Sequence, residues 1–481
     1  MRYVLGEDYR FRGWYRLPTG ILNTKTKEAM FFTKEQYRLL LQCDGAHDID
    51  GSSLSEEDRT LLSTLKKDGV IREAMLWDFI SPEQEYITYP ARYKKRAHWS
   101  ITGACNLKCR HCFMSAPHAK HGSPTHEQIL DIADQLTECG IFSVGLTGGE
   151  PLIRKDFLEI VDALVDRGIG ISEIYTNGWL VDEAFLDALE KRKVHPSFQL
   201  SYDGVGMHDF LRGIEGAEER TLNALRLLQE RDYSVSVSMC IHRRNRDVLR
   251  ESIKLLAGFG VQSVKCGIMM DLGEWLSPEV SDLHMTRDEE LELFEQYIPQ
   301  YFEDDAPLSI MLGDTLMYTP GDREWQFYAV TRCPKEQEAM PSCGVMVRNL
   351  YIGAEGMVAP CMGMGDCGYS RNFPNPFETP LREILHDSPF NDLCNVSVGA
   401  VRDHNPKCRS CRFVDRCTGG CRNSVLMAGD DYLGIDEGLC HFFENGWEER
   451  LTKVAQEPFR EYLKRNPPRE DVKGTRDSDC Q

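Results

Sequence analysis

The sequence predicts an α/β protein: a partial (β/α)6 barrel preceded by a winged-helix-like α+β domain and followed by a cysteine-rich C-terminal domain. Three observations carry this. From Ala97 onward, six short β-type runs alternate with amphipathic helices, the pattern of βαβ units on a parallel sheet. Residues 1–90 instead read as short strands, then helix, glycine turn, helix and strand. Beyond about Pro320 the regular periodicity fades and Cys, Gly and Pro take over.

At 481 residues, two or three domains are expected. Hydrophobic residues make up 41%, enough for a large core, and 56 Lys and Arg stand against 76 Asp and Glu. The net charge of −20 argues against nucleic acid or an anionic membrane as the main partner. The opening residues MRYVLGEDYRFRGW have acids and no apolar core of a signal peptide, and no run of eighteen apolar residues follows. A cytoplasmic location with reduced thiols is expected, and there 18 cysteines point to metal binding rather than disulfides.

In order, residues 1–90 hold the β-type stretches GWYRLPTGILNT and EAMFF. A helix follows, opened by Thr33 with Gln36 as a capping box and closed at Cys43-Asp44-Gly45. A second helix begins near Ser55 and leads into Val70-Ile71. ARYKKR, residues 91–96, reads as a solvated basic linker. The barrel is expected over 97–320. Its strands are HWSITG, IFSVGLT, ISEIYTNG, PSFQLSYDG, YSVSVSMCI and QSVKCGIMM, with helices between them. Six strands fall short of a full eight-fold barrel, and chemistry in such folds gathers at the C-terminal strand ends. The cysteine-rich domain spans 321–450, and 451–481 form a helix and a polar tail.

The first strand runs into Cys105-x3-Cys109-x2-Cys112. Three thiolates so spaced can hold three corners of a [4Fe–4S] cluster and leave one iron open to a ligand; a three-ligand zinc site is the alternative. The second strand ends in Gly148-Gly149-Glu150-Pro151, where two glycines allow close backbone approach and Glu150 offers a carboxylate to an ammonium. Together these segments resemble the radical S-adenosylmethionine (SAM) superfamily. The resemblance implies that SAM chelates the open iron and that the GGEP segment holds its methionine amine. It also implies that Thr176 and Asn177 after the third strand, and Ser201 and Asp203 after the fourth, contact the cofactor. His208-Asp209 and Arg212-Gly213 fit one branch of the superfamily.

The C-terminal cysteines resemble the SPASM domain, which carries two auxiliary [4Fe–4S] clusters and brings the expected total to three. By that pattern Cys343, Cys361 and Cys421 hold the first, and Cys408, Cys411, Cys417 and Cys440 the second. The first then lacks a ligand: Cys333 is the choice, Cys367 the second, and an open site for a substrate thiol the third. A zinc ribbon is the alternative for Cys408-x2-Cys411. Cys43, Cys139, Cys240, Cys266 and Cys394 read as packed thiols. The CDG turn and DGVI of the first domain resemble the PqqD-like peptide-recognition element, with a DNA-binding winged helix or plain accessory domain as alternatives.

What the resemblance implies is a hydrogen abstraction by a 5′-deoxyadenosyl radical, with auxiliary clusters taking the electron left on the substrate. The expected enzyme is a radical SAM oxidoreductase that installs a thioether, carbon–carbon or related crosslink in a ribosomally made precursor peptide. An electron donor such as flavodoxin or ferredoxin would serve it. Alternatives are a formylglycine-forming sulfatase maturase, another dehydrogenase of a protein or small alcohol, or a non-enzymatic iron–sulfur carrier. The sulfatase-maturing branch has Asp directly after the second SPASM cysteine; here Met362 follows Cys361, and Asp366 is the nearest acid. The catalytic base is left unassigned.

Overall fold

The computed structural model describes residues 1–313, 316–327, 338–429 and 431–468. The N-terminal unit holds β1 (Tyr3–Leu5), β2 (Tyr9–Trp14), β3 (Leu17–Asn23), β4 (Ala29–Phe31), α1 (Lys34–Leu40), α2 (Glu56–Lys67), β5 (Ile71–Glu73) and β6 (Ile87–Tyr89). Both helices open on the expected polar caps: Thr33 with Gln36, and Ser55 with Asp58. Helix α1 stops at Leu40, ahead of the Cys43-Asp44-Gly45 turn, because Asp44 leaves the helix to bridge Val4. The strands build more than the sequence suggested: a two-stranded sheet, β1 with β5, and a four-stranded sheet in the order β4-β3-β2-β6.

The central sheet has eleven strands. Six follow one another in sequence order and pair in parallel: β7 (Arg96–Ser100), β8 (Ser143–Thr147), β9 (Gly170–Thr176), β10 (Ser197–Ser201), β11 (Val235–Ile241) and β12 (Ser263–Ile268). Each matches one of the six β-type runs. Between them lie α3 (His126–Glu138), α4 (Phe157–Asp166), α5 (Glu183–Lys191), α6 (His208–Arg212), α7 (Ala217–Glu230) and α8 (Leu249–Gly258). The sheet does not end there. β13 (Ser309–Leu312) adds in parallel to β12 after α9 (Arg287–Glu303), and β14 (Leu316–Tyr318) and β15 (Gln326–Phe327) follow antiparallel. After α10 (Gly344–Arg348), β16 (Asn349–Ile352) of the cysteine-rich region pairs in parallel with β7, and β17 (Val358–Ala359) closes that edge.

Period-two alternation decides the two faces of β7. Ala97 and Trp99 are buried in one apolar cluster with Ile129, Ile132 and Leu136 of α3. The opposite face is polar: Arg96 pairs with Glu173 at 3.2 Å, His98 stacks on Tyr175 at 4.2 Å, and Ser100 Oγ lies 2.9 Å from Tyr351 Oη. This polar face meets the cysteine loop at the strands' C-terminal ends.

The segment 91–96 is not a solvated linker. Ala91 and Lys94 are buried, and Lys94 Nζ donates to the carbonyls of Met346 at 2.8 Å and Val347 at 3.0 Å in the last turn of α10. A cation that reaches helix carbonyls can be enclosed because its protons are satisfied. Lys94→Ala leaves those carbonyls dry and a void beside them, so a loss of about 2–4 kcal/mol is expected in thermal or denaturant unfolding. Lys94→Met, which fills the space, should lose roughly half as much.

The N-terminal unit docks on the rest of the chain through aromatics. Trp14 packs edge-on against Tyr93 at 4.9 Å, and a side chain at Gly140 would lie 2.5 Å from Trp14 Nε1, so that turn must be bare. Tyr15 stacks on His386 at 3.8 Å. At the other end, helix Trp447–Arg465 lies on α9 through Phe302, Phe459 and Tyr462. Among the described residues no helix is long and apolar enough to cross a membrane.

Candidate metal and cofactor centre

The cysteine loop follows β7, and backbone pairing fixes it beside the end of β8. Gly149 N donates to Thr102 O and Glu150 N to Ala104 O, both at 2.9 Å. A side chain at Gly148 would lie 2.3 Å from Thr102 O, and one at Gly149 2.3 Å from Ala104 O. The two glycines therefore let the second strand end lie flush against the loop. On its other side the loop is tied to α6: Lys108 N donates to Arg212 O at 3.2 Å and Arg110 N to Leu211 O at 2.9 Å.

Cys105, Cys109 and Cys112 are half-buried, and each sulfur faces an N–H donor. Burial pushes the Cys105 thiol up to about 12, so the protein by itself favours the protonated form there. A bound metal reverses that balance by taking the thiolate. The clustered sulfurs, with donors already aimed at them, suit an iron–sulfur cluster.

Glu150 supports the site from beneath. Its carboxylate accepts from Thr176 Oγ1 at 2.9 Å, Leu152 N at 3.1 Å and Asn177 N at 2.7 Å, and the residue has no exposed surface. Burial raises its pKa to about 7 against the opposing pull of those bonds. Enclosed in this way, Glu150 braces Thr176 and Asn177. Pro151, also buried, starts the short turn that carries Leu152. Thr176 spends its hydroxyl on Glu150 and the Gly178 amide. Asn177 Nδ2 reaches Asn106 Oδ1 at 2.8 Å and lies 3.8 Å from Cys105 Sγ, next to the sulfurs.

Asp203 is held by internal partners too. It is fully buried, and its carboxylate accepts from Arg212 Nε at 2.7 Å and Cys240 N at 3.1 Å. Burial would raise its pKa, but the guanidinium holds it well below the usual carboxylate range. Ser201 ends β10 half-exposed and, with Gly148 and Gly149, stays open at the strand ends. The sequence reading missed what α6 does. His208, Asp209 and Arg212 bind the loops at the strand ends to one another: Asp209 accepts from Gly216 N and Glu218 N at the start of α7. The polar run His208-Asp209 followed by Arg212-Gly213 was the available signal.

The C-terminal cysteines sort into two groups. Cys408, Cys411, Cys417 and Cys440 line one cavity with Phe413 and Phe443. Cys343, Cys361 and Cys421 lie close enough for their charges to interact, and Cys343 and Cys361 border the apolar cluster of Met346, Tyr351 and Met364. Cys367 is buried in that cluster, its thiol donating to Met364 O at 3.2 Å. Cys333 lies outside the described residues. Cys43, Cys139, Cys266 and Cys394 are buried thiols, and Cys240 is half-buried. Asp366 is tied to Lys120 at 2.7 Å and His121 at 3.2 Å, which holds its carboxyl below the ordinary range despite burial.

A parallel sheet with three clustered thiols at its strand ends, and two further thiol groups beyond it, defines an iron–sulfur enzyme. Residues 99–256 match the radical SAM superfamily and 343–412 an iron–sulfur cluster-binding domain, SPASM. The chain is 31% identical over 345 residues to the PqqA peptide cyclase of Granulibacter bethesdensis, covering 71% of this chain and 85% of that one. It is 26% identical over 348 residues to the AdoMet-dependent heme synthase of Methanosarcina barkeri, covering 70% and 93%. Streptococcus suis SuiB, solved with its precursor peptide SuiA, shares the fold with a TM-score of 0.59 at 14% identity over 91% of this chain and 99% of that one. The chain belongs to the radical SAM superfamily, in its SPASM branch. SAM and [4Fe–4S] clusters are its cofactors, and it is an enzyme.

Proposed function

We propose that the protein is a maturase of ribosomally made peptides, oxidising a precursor peptide to form a thioether, carbon–carbon or related crosslink. The observation that carries this reading is the 345-residue likeness to a relative named as a peptide cyclase. The N-terminal unit supports it: Met75, Leu76, Trp77 and Phe79 are exposed, at 71%, 83%, 85% and 57%. Four apolar side chains left in water within five residues suit an apolar segment of a peptide. This reading takes residues 1–90 as a winged-helix-like recognition domain joined through 91–96. It takes 97–320 as a partial (β/α)6 barrel, 321–450 as the auxiliary-cluster domain and 451–481 as a closing helix and tail.

In this reading Cys105, Cys109 and Cys112 hold the SAM cluster. Cys343, Cys361 and Cys421 hold one auxiliary cluster, with Cys333 as fourth ligand. Cys408, Cys411, Cys417 and Cys440 hold the other. Gly148, Gly149, Glu150 and Pro151 hold the methionine end of SAM, and Thr176, Asn177, Ser201 and Asp203 contact the cofactor from the next two strand ends. When bound, SAM and the reduced cluster supply the hydrogen-abstracting radical. The chain orients the peptide and keeps water away. A flavodoxin or ferredoxin would deliver electrons in the reducing cytoplasm.

The test is mass spectrometry of a short peptide encoded beside this gene, after anaerobic incubation with SAM, reductant and the reconstituted protein. Loss of two hydrogens together with 5′-deoxyadenosine is expected, and Leu76→Asp with Trp77→Ala should weaken peptide binding at least about tenfold. SAM cleavage with an unchanged peptide sinks the reading. A second reading, oxidation of a small molecule, draws on the likeness to the heme synthase. The sulfatase-maturing alternative is disfavoured, since Met362 stands after Cys361 and Asp366 is held by Lys120 and His121.

A further inference from the structure

The three loop sulfurs are not served alike. Cys105 Sγ accepts from the Leu107 amide at 3.4 Å, and Cys112 Sγ from the Ala116 amide at 3.3 Å. Cys109 Sγ has a guanidinium instead, with Arg212 Nη1 at 3.7 Å. Arg212 is 7% exposed and Asp203 not at all, so the pair acts where water does not screen it. Arg212 Nε donates to Asp203 Oδ2 at 2.7 Å, which aims the other arm of the fork at the sulfur.

An imidazole also lies beside Asp203. His208 Nδ1 lies 3.2 Å from Asp203 Oδ2, yet it accepts the amide of Asp203 at 3.0 Å. Its Nε2 faces Thr221 Oγ1 at 3.2 Å, which itself donates to Asn177 O at 3.1 Å. His111, Asp203 and Cys240 bring ligand-type atoms within 4.8 Å of one another, but the guanidinium already on Asp203 makes this a poor cation site. The Arg212 guanidinium makes the shorter contact with Asp203, at 2.7 Å against 3.2 Å for His208.

Hydrogen bonds to cluster sulfurs and local charge set the reduction potential of an iron–sulfur cluster. Resting on the reading that Cys109 is a cluster ligand, we propose that Arg212, held by Asp203, is a positioning residue that raises the reduction potential of the loop cluster through Cys109 Sγ. The reduced cluster carries one more negative charge, which the guanidinium stabilises and Asp203 tempers. The contact joins the cysteine loop to a residue 103 positions away, so a change in α6 reaches the cluster directly.

The test is an anaerobic redox titration of the full-length reconstituted protein, followed by electron paramagnetic resonance. The signal to follow is the one that changes when SAM is added and that Cys109→Ala lacks. Arg212→Met should lower the potential so that the reduced-to-oxidised ratio falls about tenfold at a fixed potential, a shift of about 59 mV for one electron. Asp203→Asn should raise it, because the guanidinium is left uncompensated. Arg212→Lys should stay nearer the wild type. Iron content and the auxiliary potentials should not move. A merely structural pair would lose iron, or shift both variants the same way. Unshifted potentials in both, or a fall in both, overturn the proposal. If Arg212→Met holds too little iron to titrate, Asp203→Asn decides by the sign of its shift. A Cys109→Ala protein that keeps the SAM-responsive signal removes the ligand reading and the proposal together.

Discussion

Cys109→Ala is expected to lower iron from about 12 to about 8 per chain and reduce SAM cleavage to background. Two thiolates cannot hold a cuboidal cluster whose third corner is gone, and the fourth iron has no protein ligand in reserve. Arg212 would then face an empty space, its guanidinium still paired to Asp203. The contrast is Cys139→Ala. Cys139 is fully buried at the C-terminus of α3, so its loss should cost about 1–2 kcal/mol of stability and no iron. Iron analysis and SAM-cleavage assays on the two proteins separate a ligand from a packed thiol. Cleavage persisting in Cys109→Ala with all iron present would refute the assignment of the loop.

Glu150→Leu is expected to destabilise the protein by about 3–6 kcal/mol and to loosen SAM binding. Three donors, Thr176 Oγ1, Leu152 N and Asn177 N, converge on one enclosed carboxylate. An apolar side chain strands all of them, at about 1–3 kcal/mol each in a site closed to water, with partial relaxation. Glu150→Gln keeps one acceptor and should lose roughly half as much. The carboxylate also fixes a pH dependence. Its pKa in the folded protein is raised to about 7 by burial, while the unfolded value is near 4.3, so folding favours the protonated form. This contribution is fully present below about pH 4.3 and declines as pH rises toward 7. The wild type should therefore lose up to ~3 kcal/mol relative to Glu150→Gln between pH 5 and pH 8 in unfolding experiments. Parallel curves for the two proteins would show that the group is not the source.

Much of the fold was legible because its signals are local. The six strands and the caps at Thr33 and Ser55 follow from period, propensity and side-chain chemistry within a few residues. The internal partners of Glu150 and Asp203 were not legible, and for one cause. Each stands at a strand end, where a polar side chain can face a ligand or turn inward. What turns it inward lies elsewhere in the chain: Asn177 for Glu150, and Arg212 with Cys240 for Asp203. Lys94 failed likewise, since a basic run reads as solvated until Met346 and Val347, some 250 residues on, arrive above it.

The sequence by itself determined the α/β alternation, the thiol spacing of the loop, the paired glycines and the order of the C-terminal cysteines. These are short-range properties, set by geometry within one turn or one strand. Only the tertiary structure decided that the cysteine-rich region extends the same sheet through β16 on β7. It also enclosed Lys94 beneath α10 and brought a guanidinium to Cys109. Those outcomes depend on register and burial between residues far apart in the chain, and no local pattern encodes which distant partner will close over a given side chain.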